Sequence, residues 1–453
     1  MSHLKSFFLC LSIVLLSFSI KAQFSVGNTA LDTQIIASNL STPWEIQYTS
    51  DSSLWFTERI GRVNRIDLST GQRKVVLDYQ SQVEQVGESG MLGMELLFTT
   101  AIPRVFIAYT YRTSSNAFYE RISSFIYDLT QDTLVGEVVL IDSIPANTYH
   151  DGARIKLINN QLYITTGDAG SVNLSQDLNS LAGKVLRIDW TGNIPSSNPI
   201  SGSPIYSWGH RNAQGLFYAN NILYSSEHGP STNDEINLIE SGRNYGWPNV
   251  EGFCDLSQEQ QFCLDSNVVE PIQAWTPTVA TSDLIYYNHP AIPEWQNNLL
   301  LTTLKNQRIY AMELDQDHDS VLSITQHFQN QWGRLRDIAT NQYGEIFLAT
   351  NGNPNQIIKL YNPLFTGLTS KNKKDINLDL YPNPAKERVN IKSEVKVMKE
   401  LSLFNLEGRQ LLNTSLNSNQ YLMTFGELAR GIYLLRIHFA DGSTNCEKLV
   451  VQP

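Results

Sequence analysis

The chain is poor in cysteine, with four in 453 residues, and no two of them form a Cys-x-x-Cys pair. That excludes the common structural zinc frameworks. Cys254 and Cys263 flank a short polar loop and could close it as a disulfide, whereas Cys446 has no evident partner. Basic charge is also scarce. Lys and Arg number 33 against 44 Asp and Glu, a formal net charge of −11, and no basic stripe stands out. Nucleic acid and anionic membrane are therefore excluded as expected partners. The surplus of carboxylates suits a hard cation such as calcium. Beyond residue 20 there is no apolar run long enough to span a membrane. The run Phe7 to Ile20 follows Lys5 and leads into Ile20-Lys21-Ala22, which reads as an export signal over residues 1–22, carrying Cys10 away with it. Long helical periodicity is missing as well.

What is present is a repeated strand pattern. A β-branched or aromatic run meets a polar turn and then a second alternating run. Leu54–Arg59 leads to Arg62–Asp67, Val105–Tyr109 to Arg121–Asp128, and Leu162–Asp168 to Lys184–Asp189. Leu223–Glu227 leads to Glu235–Ile239, Leu299–Leu304 to Arg308–Asp315, and Ile346–Thr350 to Gln356–Leu360. Six copies, irregularly spaced, predict an all-β fold over 23–365, namely a six-bladed β-propeller closed into a ring with few exposed edges. A sandwich is the alternative. Residues 366–377 read as a polar linker, and 378–453 as a separate small β-sandwich.

The polar residues that are costly to bury gather in a few places. Gly209-His210-Arg211-Asn212-Ala213-Gln214-Gly215 and Glu227-His228-Gly229-Pro230 to Glu235 are the densest. Such groups stay together only when paired or used on a ligand. Propeller loops gather at one mouth of the channel, so His150, Asp168, Arg211, Asn212 and Glu227 to Pro230 can converge. His150 oriented by an acid is a general-base pair, and Arg211 can stabilise developing negative charge. Lys305, Arg334 and Arg336 form a cationic trio suited to a polyanion. Arg334 and Arg336 alternate and so are expected to face the same way. The plainer readings are a structural histidine and a surface ion-pair set between these arginines and Asp337.

The motifs Thr42-Pro43-Trp44, Thr57-Glu58-Arg59-Ile60-Gly61, Gly87 to Gly93, His150-Asp151-Gly152, Thr166 to Ala169, Ser180 to Ile188, Gly242 to Pro248, Pro277 to Ala280 and Gly333 to Asp337 occur in order with those stretches. Together they resemble the soluble glucose/sorbosone dehydrogenase family, six-bladed propellers that use pyrroloquinoline quinone (PQQ). The resemblance implies that His150 takes the proton from the sugar C1 hydroxyl as hydride leaves, that Asp168 orients it, and that Arg211 binds a quinone oxygen with Asn212 beside the cofactor. It implies that Lys305, Arg334 and Arg336 hold the PQQ carboxylates and that Thr278 touches the ring system. The carbonyls of Gly229 and Pro230 would hold a Ca2+ that also binds PQQ, and Asp234, Glu235 and Tyr245 match positions of a second, structural calcium.

Family members with glucose activity carry Gln at the position of Glu88, Asp at that of Tyr149 and Trp at that of Thr276, so the chemistry carries over while the identity of the sugar does not. An external electron acceptor is implied. The Tyr381-Pro382-Asn383-Pro384 opening, Gly431 to Arg436 and the Lys448-Leu449-Val450-Val451 end resemble the C-terminal sorting domain of the type IX secretion system, which implies a secreted or cell-surface protein. Two other functions stay open: a non-catalytic glycan- or partner-binding propeller, and a calcium-dependent lactonase-type hydrolase.

Overall fold

The computed structural model describes residues 24–365, except 101 and 353, and residues 378–452, except 394–395, 406–409, 427 and 441–443. The expected export signal and linker lie outside the described residues. The chain divides into two compact units between Gly367 and Leu368.

Each of the six sequence repeats becomes the two middle strands of one antiparallel sheet. The pairs are Ser53–Glu58 with Arg62–Asp67, Arg104–Arg112 with Phe118–Asp128, Gln161–Thr166 with Lys184–Asp189, Ile222–Glu227 with Asp234–Leu238, Asn298–Thr303 with Ile309–Leu314, and Ile346–Thr350 with Ile357–Tyr361. A further strand precedes each pair: Pro43–Thr49, Met91–Leu97, Gly152–Ile158, Ala213–Ala219, Thr281–Tyr287 and Leu335–Thr340. These first strands touch one another in a closed cycle, the last against the first. They therefore surround a common axis, as in a β-propeller, and the alternative sandwich is not formed by this unit. The last sheet is completed by Thr29–Ala37, which pairs antiparallel with Ile357–Tyr361 and so joins the start of the unit to its end.

The faces between neighbouring sheets make the core. Ala108 and Ile122 of the second sheet pack with Ile155, Leu162 and Leu186 of the third. Fully enclosed side chains such as Trp55, Phe106 and Trp295 each contribute about 1.5–3 kcal/mol. Among the described residues there is one α-helix, Ser257–Ser266. Cys263 on it is joined to Cys254 by a disulfide, as the spacing allowed.

The axis itself is polar. Arg154, 1% exposed, donates from Nη1 to Glu45 and to Asp337 at 2.7 Å, and from Nε to the Gln214 carbonyl at 3.0 Å, with Asp283 at 3.5 Å. Its guanidinium lies 4.2 Å from the centre of the Trp44 ring. One side chain thus ties the first strands of five sheets, and a buried cation held among carboxylates is an arrangement that burial tolerates, although its Nη2 is left without a hydrogen-bond partner. All six first strands also carry a register shift near their N-terminal ends. Such bulges re-aim the side chains that follow them.

The second unit has two sheets. One orders Leu378–Tyr381, Arg388–Ser393 and Gln420–Thr424; the other orders Gln410–Ser418, Met398–Phe404, Gly431–Phe439 and Thr444–Val451. Strict alternation along Arg388–Ser393 buries Val389 and Ile391 against Leu401, Leu435, Ile437 and Leu449 in a single core.

Candidate active site

The N-terminal ends of the six first strands, together with the turns linking second to third strands, form one mouth of the axis. His150 sits just before Gly152–Ile158 with φ of 63°, in the left-handed region that a non-glycine residue rarely adopts. The surroundings fix it there. Ala169 N–H donates to its carbonyl at 3.1 Å, and Gly167 passes so close that a Cβ would collide with that carbonyl. Nδ1 of His150 lies 2.8 Å from Asp168 Oδ1. Asp168 is fully buried and also accepts from Gly170 N–H at 2.8 Å and from the Trp247 indole at 3.0 Å. The expected base and its orienting acid are therefore in contact. The carboxylate fixes the proton on Nδ1 and leaves the lone pair on Nε2. The Tyr149 ring stands edge-on to the imidazole at 4.8 Å.

Beside this pair lies Arg211-Asn212. Glu227 Oε1 accepts from the main-chain N–H of both residues, and Oε2 lies 3.0 Å from His210 Nδ1. His210 Nε2 lies 2.9 Å from Ser207 Oγ. Ser, His and Glu here have the connectivity of a nucleophile triad, but Ser207 and His210 are fully buried, so the trio shapes the turn and meets no substrate. The Arg211 guanidinium donates to the His228 carbonyl at 3.1 Å and lies 5.3 Å from the centre of the Trp247 ring.

The cations divide. Lys305 and Arg334 are exposed, and Lys305 Nζ donates to Thr278 Oγ1 at 3.1 Å. Arg336 is 6% exposed and donates to Gln214 Oε1 at 2.6 Å. The two arginines differ in burial, and a register shift between Leu335 and Asp337 falls at this point of the strand, yet Arg334 remains close enough for its charge to act on Arg336. Arg336 does not pair with Asp337, whose partner is Arg154. Burial pushes the Arg336 guanidinium down to about 9, with Glu88 opposing and Arg59, Arg334 and Arg154 adding. From Gln214 the chain of contacts continues. Its Nε2 donates to Asn212 Oδ1 at 3.0 Å, which also accepts from Gly152 N–H at 3.2 Å. The late cation is thus linked, through three hydrogen bonds, to the residue two places after His150.

Several donors at this mouth are buried and unsatisfied: Arg211 Nε, Asn212 Nδ2 and Arg336 Nε. Donors of this kind cost free energy unless a ligand meets them. They fit a flat, oxygen-rich anion.

An adjoining cavity is lined by Glu227, Gly229, Pro230, Glu235, Tyr245, Trp247 and Glu251. Burial first, then the cross-strand Glu227, pushes Glu235 up to about 8. Clustered carboxylates beside main-chain carbonyls fit a hard cation. Asp234 is differently employed: it accepts main-chain N–H groups of Gly229 at 2.9 Å, Val279 at 2.7 Å and Ala280 at 2.5 Å. The Tyr245 hydroxyl donates to the Leu238 carbonyl at 2.5 Å. Among the described residues, no group of three or more His, Cys, Asp or Glu side chains is placed to hold a metal by itself.

Gln214 and Trp247 were present in the motifs without a role. Only their contacts across sheets reveal one.

Residues 40–359 match the family model of glucose/sorbosone dehydrogenase. Residues 379–452 match the secretion system C-terminal sorting domain. The chain is 28% identical to quinoprotein glucose dehydrogenase B of Acinetobacter calcoaceticus, covering 70% of this chain and 84% of that protein. It is 26% identical to an aldose sugar dehydrogenase of Escherichia coli K12, covering 79% and 99%. The solved PQQ-bound aldose sugar dehydrogenase of Streptomyces coelicolor aligns with a TM-score of 0.63 at 28% identity, covering 73% of this chain and 98% of that one. The propeller unit and its polar mouth thus have relatives along their whole length, the C-terminal unit is a type IX sorting domain that directs export, and the chain belongs to the glucose/sorbosone dehydrogenase family.

Proposed function

We propose that the chain is a secreted or cell-surface, PQQ- and calcium-dependent dehydrogenase that oxidises an aldose or related sugar at its anomeric carbon to a lactone, on a six-bladed propeller. The observation that carries this reading is the hydrogen-bonded line from Arg336 through Gln214 and Asn212 to Gly152, which sets unsatisfied donors beside the His150–Asp168 pair. When bound, PQQ supplies a two-electron acceptor for the hydride of C1. The chain does the rest. His150 Nε2 takes the C1 hydroxyl proton, and Asp168 stabilises the imidazolium that results. Arg211 and Asn212 present N–H groups to the oxygen where negative charge grows. Arg336, Arg334 and Lys305, with Thr278 beside Lys305, hold carboxylates. The carbonyls of Gly229 and Pro230 hold a calcium.

For a second calcium the side chains divide. Glu235 lines the cavity, whereas the Asp234 carboxylate and the Tyr245 hydroxyl are engaged elsewhere, so these two would serve through main-chain oxygens. Electrons then pass to an external acceptor. A hydrolase has no use for a buried cation without a carboxylate partner, and a binding module has no use for an oriented base. Calorimetric titration of PQQ into the calcium-loaded protein tests the reading. Arg336→Gln is expected to weaken PQQ binding at least tenfold, by loss of a charge-assisted hydrogen bond worth roughly 1.5–3 kcal/mol. Equal affinity in the two proteins would contradict the assignment.

A further inference from the structure

We propose that Trp247 is a positioning residue that couples the base to the arginine of the quinone pocket, holding Asp168 with its indole N–H and Arg211 on its ring face. The inference rests on the dehydrogenase reading above. Asp168 has two oxygens to satisfy inside a fully buried site. Oδ1 serves His150 and Gly170. Among the described residues, the hydrogen bond that reaches Oδ2 is the one from Trp247 Nε1, at 3.0 Å. An indole nitrogen can only donate, so it complements an oxygen of Asp168 that accepts.

The ring is itself fixed. Its main-chain N–H donates to the Gly209 carbonyl at 3.0 Å, and its carbonyl accepts from Gln176 Nε2 at 2.7 Å. The same rigid plane carries the Arg211 guanidinium at 5.3 Å. Shifting the indole therefore disturbs the acid and the cation together. Each is bound to the Asp168–Arg211 main-chain contact as well, Asp168 N–H donating to the Arg211 carbonyl at 2.8 Å.

Other charged and titratable groups face this assembly. Arg211, Glu227, His228, Glu235, Tyr245 and Glu251 line the cavity with Trp247. Tyr149 lies against His150, and Asp151 follows it in sequence. All of them remain in Trp247→Phe, which keeps a flat ring and removes only the N–H and part of the bulk. A carboxylate with one donor fewer concentrates its charge and holds the His150 proton harder. The expected result is that the acid limb of the kcat/KM profile moves up by about half to one pH unit. Reactivity of His150 toward diethyl pyrocarbonate in the PQQ-free protein should move by the same amount. PQQ affinity should stay within about twofold in Trp247→Phe and fall roughly three- to tenfold in Trp247→Leu, which loses the cation–π face.

A folded Trp247→Phe protein with unshifted His150 reactivity would overturn the proposal, whether or not the enzyme turns over sugar. Should that variant fail to fold, the wild type decides the matter. With indole-15N tryptophan, the Trp247 N–H signal should inflect at the pH midpoint of His150 reactivity, since both share one carboxylate. A spectrum in which no indole signal inflects there overturns it equally. Failure of the dehydrogenase reading would show instead as absence of PQQ uptake, with the PQQ-free measurements unaffected.

Discussion

At the scale of single residues, the mouth is a set of conflicts that a ligand would relieve. Arg336 is a buried cation whose hydrogen-bond partner is a neutral amide. Asp151, 4% exposed and next to the base, is the converse: one oxygen accepts from Asn147 N–H at 2.9 Å and the other has no partner. Burial pushes its carboxyl up to about 7. The linkage sign follows. Between about pH 4, where an ordinary aspartate ionises, and pH 7 the folded chain keeps a proton that the unfolded chain has shed. Stability from this group is therefore present below about pH 4, is lost as pH rises toward 7, and stays lost above it. Asp151→Asn should melt higher than the wild type at pH 8, by an amount on the order of a few kcal/mol, and converge with it toward pH 4. Melting curves by circular dichroism at the two pH values check this; a variant that melts lower at pH 8 would show that the ionised carboxylate is stabilised after all.

At the scale of elements, the six first strands do two things at once. Their N-terminal ends present the site, and five of them meet on Arg154. Replacing Arg154 by Met leaves Glu45, Asp283 and Asp337 close together without their cation. Breaking a buried pair in this way costs about 3–5 kcal/mol, so urea denaturation should show a midpoint clearly below that of the wild type. An unchanged midpoint would mean that the cluster is satisfied in some other way.

This scale also shows what could be read from the sequence alone. The strand in Leu162–Asp168 was plain, because a run of β-branched, aromatic and aliphatic residues bounded by turn residues needs only local pattern, although the strand proves buried on both faces. The contact of His150 with Asp168 followed from both lying in connections at one mouth. The different burial of Arg334 and Arg336 did not follow, because a register shift between Leu335 and Asp337 interrupts the regular ladder on which the expectation stood. Asp337 went to Arg154, which is 183 residues away in sequence and belongs to a strand opposite in the ring. Gln214 and Trp247 were invisible for the same reason. Each acts by bridging sheets, and no local spacing records such a bridge.

At the scale of the whole molecule, the two units divide the labour. The site residues, His150 to Arg336, all belong to the first unit, and that unit closes on itself through the pairing of Thr29–Ala37 with Ile357–Tyr361. The second has its own core of residues between Ala385 and Val451. A chain ending at Gly367 should accordingly bind PQQ within about twofold of the full chain, since no site residue is removed, and lose export alone. Secretion and calorimetry of the two lengths check this; a large loss of affinity on truncation would place part of the site in the sorting domain.

The central claim is that this mouth performs sugar oxidation with PQQ. It is tested most directly by supplying purified full-length protein with PQQ and calcium, offering a panel of aldoses, and measuring dye reduction together with lactone formation. The account predicts turnover that needs both additions and falls by about 10²–10⁴-fold in His150→Ala while PQQ stays bound. Turnover surviving that substitution, or a folded protein that takes up no PQQ, would contradict it.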